Sequence, residues 1–107
     1  NKVTYTQTAV NVPSTGTATQ IDTWSQTQFT SAKYQITAKV GTTNMETYEA
    51  QVLTDGSGNA YISTYGIVNN GTSFGTLSAN VVSGNVRLWY SSTIAQANVK
   101  AMGTFIV

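Results

Sequence analysis

The sequence predicts an all-β protein, a single antiparallel β-sandwich of about eight strands. Apolar residues recur with a period of two over most of the chain, the spacing that places them on one face of a strand. Clusters of Gly, Asn, Asp and Ser interrupt this pattern at roughly ten-residue intervals, as turns between short strands do. No stretch offers the 3.6-residue period of an amphipathic helix. A chain of 107 residues buries about two thirds of its unfolded surface around one core, so one domain is expected. Within it, residues 1–20 are expected to form an N-terminal strand or arm available for an assembly contact, and residues 21–107 the sandwich.

The front of the chain offers strands over 2–10 and 17–24, separated by the turn Pro13-Ser14-Thr15-Gly16. From Ser31 to Val40, Ala32, Tyr34, Ile36, Ala38 and Val40 alternate with Lys33, Gln35, Thr37 and Lys39. The register must put the first set inside, because a one-residue slip would bury two ammonium groups. The alternation continues from Met45 to Leu53, with Tyr48, Ala50 and Val52 opposite Thr47, Glu49 and Gln51. Asp55-Gly56-Ser57-Gly58 tolerates positive φ and bonds its own backbone, which makes it a hairpin loop into a strand over 60–68. Asn69-Asn70-Gly71 precedes a strand over 73–82 in which Leu77, Ala79 and Val81 share a face. Ser83-Gly84-Asn85 turns the chain into a strand where Val86, Leu88 and Tyr90 alternate with Arg87 and Trp89. The last strand, 97–107, sets Val99, Ala101, Gly103 and Phe105 against Lys100, Met102 and Thr104. Immunoglobulin-like and jelly-roll orders both fit these strands.

Composition excludes several classes of function. Only 8% of residues are charged and the net charge is +1, too little for the basic stripe that nucleic-acid binding requires. No run approaches the ~18 apolar residues of a membrane helix, so no membrane partner is expected. Zero Cys and zero His remove disulfides, thiolate nucleophiles, the commonest metal ligand and the usual general base. Four carboxylates remain, Asp22, Glu46, Glu49 and Asp55. Glu46 and Glu49 are three apart and point to opposite faces of a strand, which is no glycosidase pair. These four are read as solvated strand and turn charges, and 55–59 lacks the further acidic ligands of a calcium loop. No catalytic residue, cofactor or metal is expected.

The residues left for recognition are aromatic. Trp89 lies on the face opposite Leu88 and Tyr90 and is the leading candidate for an interface or ligand contact, with Arg87 beside it. Trp24, at a strand end, is a further candidate that also suits a cover over one end of the sandwich. Tyr5, one of the few large apolar residues of the N-terminal stretch, completes the set.

The strand and turn words Ser31-Ala32-Lys33-Tyr34, Glu49 with Val52-Leu53, Asp55-Gly56 and Ala60-Tyr61-Ile62-Ser63-Thr64-Tyr65-Gly66 resemble a β-rich domain of structural proteins of tailed bacteriophages, especially those infecting marine cyanobacteria. Gly75-Thr76-Leu77-Ser78-Ala79 and Ser83-Gly84-Asn85-Val86-Arg87-Leu88 continue the resemblance, which runs from about Ile21 to the end. The chain departs from the pattern at Trp89, where a smaller aliphatic residue is expected, and in its Gln/Thr-rich front. The resemblance implies a non-enzymatic virion component of a tail fibre, appendage or head decoration. Its implied partners are other virion proteins, in capsid or tail, and copies of itself. The alternative from the residues is a secreted carbohydrate-binding module or adhesin domain, with a cell-surface glycan as ligand.

Overall fold

A computed structural model describes residues 3–13 and 15–107, with side chains from residue 9 onward. Eight strands are present: β1 (Val3–Val12), β2 (Thr19–Ser25), β3 (Ser31–Val40), β4 (Asn44–Thr54), β5 (Ala60–Asn69), β6 (Gly75–Val82), β7 (Asn85–Ser92) and β8 (Ala97–Ile106). They form a five-stranded sheet in the order β1-β8-β3-β4-β5 and a three-stranded sheet in the order β2-β7-β6. The six pairings between these strands are antiparallel. The immunoglobulin order, which pairs the first strand with the second, is not adopted. Nesting β1–β8 in one sheet and β2–β7 in the other is a jelly-roll-like wrap, after which β3, β4 and β5 remain together as a meander.

Both of the clearest alternating runs adopt the expected register, in β3 the one that Lys33 and Lys39 dictate. Tyr34, Ile36 and Ala38 are buried while Lys33, Gln35, Thr37 and Lys39 are exposed, and in β4 Tyr48, Ala50 and Val52 are buried. In β8 the pattern is strict, with Ala97, Val99, Ala101 and Phe105 inside. The three-stranded sheet supplies Val86, Leu88 and Tyr90 from β7 and Leu77 from β6. One cluster joins all of these, so the two sheets share a single core. At the β6–β7 hairpin, Ser83 and Gly84 hold φ values of 52° and 79°. Positive φ at both central positions is the turn whose twist matches that of the strands it joins.

The stretch expected as an N-terminal strand or arm contributes β1 to the five-stranded sheet. β1 runs along β8 from Val3↔Ile106 to Val12↔Ala97, and Val12 is fully buried. The sheet therefore begins before residue 21, with β1 as one of its edges.

Ile36 has no solvent exposure and sits on a central strand, so Ile36→Ala is expected to destabilise the fold by about 2–5 kcal/mol. Urea denaturation of the two proteins measures it; a loss below about 1 kcal/mol would mean that the core does not close over β3.

Candidate interaction faces

Two outward sheet faces are available for recognition, and two buried polar clusters hold them in place. The first cluster closes one end of the sandwich. Trp24, Phe29, Tyr34 and Phe105 pack edge-on or tilted, with centroids 5.1–6.2 Å apart. Trp24 Nε1 donates to Tyr34 Oη at 3.1 Å, and the Tyr34 hydroxyl donates to Asp22 Oδ2 at 2.6 Å. A bulge between Gln20 and Asp22 resets the phase of β2, so that Ile21 and Trp24 are both buried and Asp22 stands opposite Leu88. Trp24 is only 7% exposed. It is a core residue covering the sandwich end, the second of the two readings expected for it, and not a surface contact.

The second cluster surrounds Glu46, which is 1% exposed and not the solvated strand charge expected. Its register phase is that of Tyr48, Ala50 and Val52, which turns it inward. Tyr48 Oη donates to Oε2 at 3.1 Å, the Phe74 and Gly75 amides donate at 2.9 and 3.3 Å, and Ser73 Oγ donates to Oε1. Tyr90 Oη lies 2.9 Å from Tyr48 Oη, so donors from both sheets converge on one carboxylate. Donors in this number are what makes a buried carboxyl tolerable. A Cβ at Gly75 would collide with both tyrosine hydroxyls, which explains why glycine opens β6.

On the outer face of the three-stranded sheet, Trp89 is half-buried between its cross-strand neighbours Gln20 and Ser78, and donates from Nε1 to Asn80 Oδ1 at 2.7 Å. Arg87 lies between Thr23 and Asn80. Its Nε is enclosed and has no hydrogen-bond partner among the described residues. Trp89 and Arg87 are thus brought together on a face otherwise made of amides and hydroxyls. Trp24 is not part of it. Tyr5 belongs to β1, where its backbone is paired with Thr104; its side chain lies outside the described residues.

The outer face of the five-stranded sheet was not singled out by the sequence reading. Cross-strand register aligns Ile106, Ser31, Leu53 and Tyr61 in one row, and Leu53, Tyr61 and Ile106 are each about half exposed. With the small Ser31 between larger neighbours, the row forms a shallow groove of about 550 Å³ bordered by Lys33. Lys33, Lys39 and Lys100 all lie on this face, and Glu49 reaches Lys33 at 3.8 Å. The outward phase of Leu53 with Tyr61 and Tyr65 was the available signal.

No family model matches the sequence, and no curated protein matches it. Among solved structures, the fold is similar to that of the tailspike protein of Acinetobacter baumannii phage AM24, with a TM-score of 0.60 at 11% identity. The similarity covers 96% of this chain and 26% of the tailspike chain, so the chain spans about a quarter of that protein's length.

Burial pushes the hydroxyls of Tyr34, Tyr48 and Tyr90 above their ordinary value of 10.0, and the Asp22 carboxylate adds to this at Tyr34. The folded protein thus keeps protons that the unfolded chain releases near pH 10. Stability is fully present below about pH 10 and falls as pH rises above it. Urea midpoints between about pH 8 and pH 11 are expected to decline from about pH 10 upward; a flat profile would place these hydroxyls in contact with water.

Proposed function

We propose that the chain is a non-catalytic β-sandwich module of a tailed-phage virion, carried on a tail appendage and making protein–protein contacts through its sheet surfaces. The observation that carries this reading is the fold shared over nearly the whole chain with part of a phage tailspike. Composition supports it: with 8% charged residues, contacts must rest on apolar and hydrogen-bonding surface, which the Leu53–Tyr61–Ile106 row and the Trp89 face supply. The strand words that resemble cyanophage structural proteins narrow the reading to that group of phages, and head decoration is the other position in the particle compatible with it.

A second reading, a carbohydrate-binding module or adhesin domain, draws on one feature. Trp89 is a half-buried aromatic held by Asn80 among Gln20, Ser78 and Thr23, and an aromatic body beside amides and hydroxyls suits a sugar ring.

Mass spectrometry of purified particles of a phage encoding the chain, with immunogold labelling, tests the first reading. The chain is expected in the particle with label on the tail. Label on the capsid moves it to the head, and absence from particles contradicts the reading. Saturable glycan-array binding abolished by Trp89→Ala would instead establish the second.

A further inference from the structure

We infer that β5 is a self-complementary edge that pairs antiparallel with β5 of a second copy of this chain, continuing the five-stranded sheet across a two-fold axis at Ser63. The inference stands apart from the phage reading, because it depends on the strand alone.

β5 is the outermost strand beyond β4, so along one side its backbone groups have no strand partner among the described residues. Edge strands ordinarily carry protection against pairing with another chain: short length, an inward or edge charge, a Pro, or a bulge. β5 is ten residues long, Ala60–Asn69, and has no charged residue and no Pro. Its one irregularity is the register shift at Gly66 and Ile67, between the pairs Glu49↔Tyr65 and Thr47↔Val68. That shift leaves 60–65 as a regular stretch able to accept a partner.

The order of side chains in this stretch selects the partner. Tyr61, Ser63 and Tyr65 point to the outer face, opposite Leu53, Gln51 and Glu49 of β4. Read in either direction from Ser63, the outward residues are the same. An antiparallel copy registered at Ser63 therefore sets Tyr61 against Tyr65 of the partner, twice, with Ser63 against itself on the axis. Directly opposed aromatic pairs are among the favourable cross-strand contacts, and no like charges meet. Isologous pairing of this kind closes after two copies and builds no fibre. Tyr61 is 57% exposed and lines the groove with Leu53 and Ile106, so pairing also covers one end of that apolar row.

Because Ser63 meets itself, charge at this position is a direct test. Sedimentation equilibrium of the unmodified chain is expected to show a reversible monomer–dimer equilibrium. Ser63→Lys and Ser63→Glu, each an exposed substitution, are expected to weaken self-association at least tenfold, while an equimolar mixture of the two restores a dimer. The chain has no cysteine, so Ser63→Cys should give a disulfide-linked dimer under mild oxidation, and Val82→Cys, exposed at the β6–β7 hairpin on the other sheet, should not. A chain that remains monomeric at all concentrations overturns the inference. So does a dimer that both charged variants leave unchanged, or a mixture of them that fails to associate.

Discussion

Glu46 stands where the chain changes sheets, and much of the architecture depends on its carboxylate being satisfied there. It projects inward from β4 of the five-stranded sheet and receives the amides of Phe74 and Gly75 at the start of β6 in the other sheet, together with the hydroxyls of Tyr48 and Ser73. Nearby polar contacts hold the incoming segment: Asn70 accepts from the Met45 amide at 3.0 Å and donates to the Thr43 carbonyl at 3.0 Å. The crossover from β5 to β6 is thus fastened to β4 by polar groups, whereas the remaining inter-sheet contact is mostly apolar and aromatic. Apolar packing is non-directional. The hydrogen bonds around Glu46 fix where β6 begins and therefore how β6 and β7 sit over β3 and β4.

At the opposite end, Trp24, Tyr34 and Asp22 make a second inter-sheet link that is smaller and partly exposed. With polar links at two ends and aliphatic residues between them, the sheets have little freedom to slide. This leaves the two outer faces as rigid platforms of different character. The broader one carries three lysines and an apolar row; the narrower one carries Trp89 and Arg87 among uncharged polar groups.

Most of the strands were legible because alternation is strict where one face is buried, as in β3 and β8. Sheet order was not, since β1 pairs with β8 across nearly the full chain and local pattern carries no information about such distant partners. Trp24 was left open between a contact and a cover over one end of the sandwich, because the bulge in β2, which turns it inward, has no signature in the local pattern. Glu46 was readable in principle: its phase matches that of Tyr48, Ala50 and Val52, and only the expectation that carboxylates face water set it outside. Trp89 and Arg87 were correctly placed on one outward face by alternation. The apolar groove needed the register of four strands at once, which no single segment reveals.

The role assigned to Glu46 is tested most directly by comparing it with Glu49, three residues along the same strand and on the opposite face. Glu46→Ala leaves the buried Phe74 amide and the half-buried Gly75 amide without their acceptor, at about 1–3 kcal/mol for each group left unsatisfied, while the exposed Ser73 hydroxyl can turn to water. Glu49→Ala removes only a surface ion pair with Lys33, of the order of 0–1 kcal/mol. Chemical denaturation of both variants, with hydrogen exchange at Phe74 and Gly75, is predicted to show a loss of at least about 2 kcal/mol, or failure to fold, for Glu46→Ala, and near-native stability for Glu49→Ala. Equal stabilities for the two, with the Phe74 and Gly75 amides still protected in Glu46→Ala, would contradict the account.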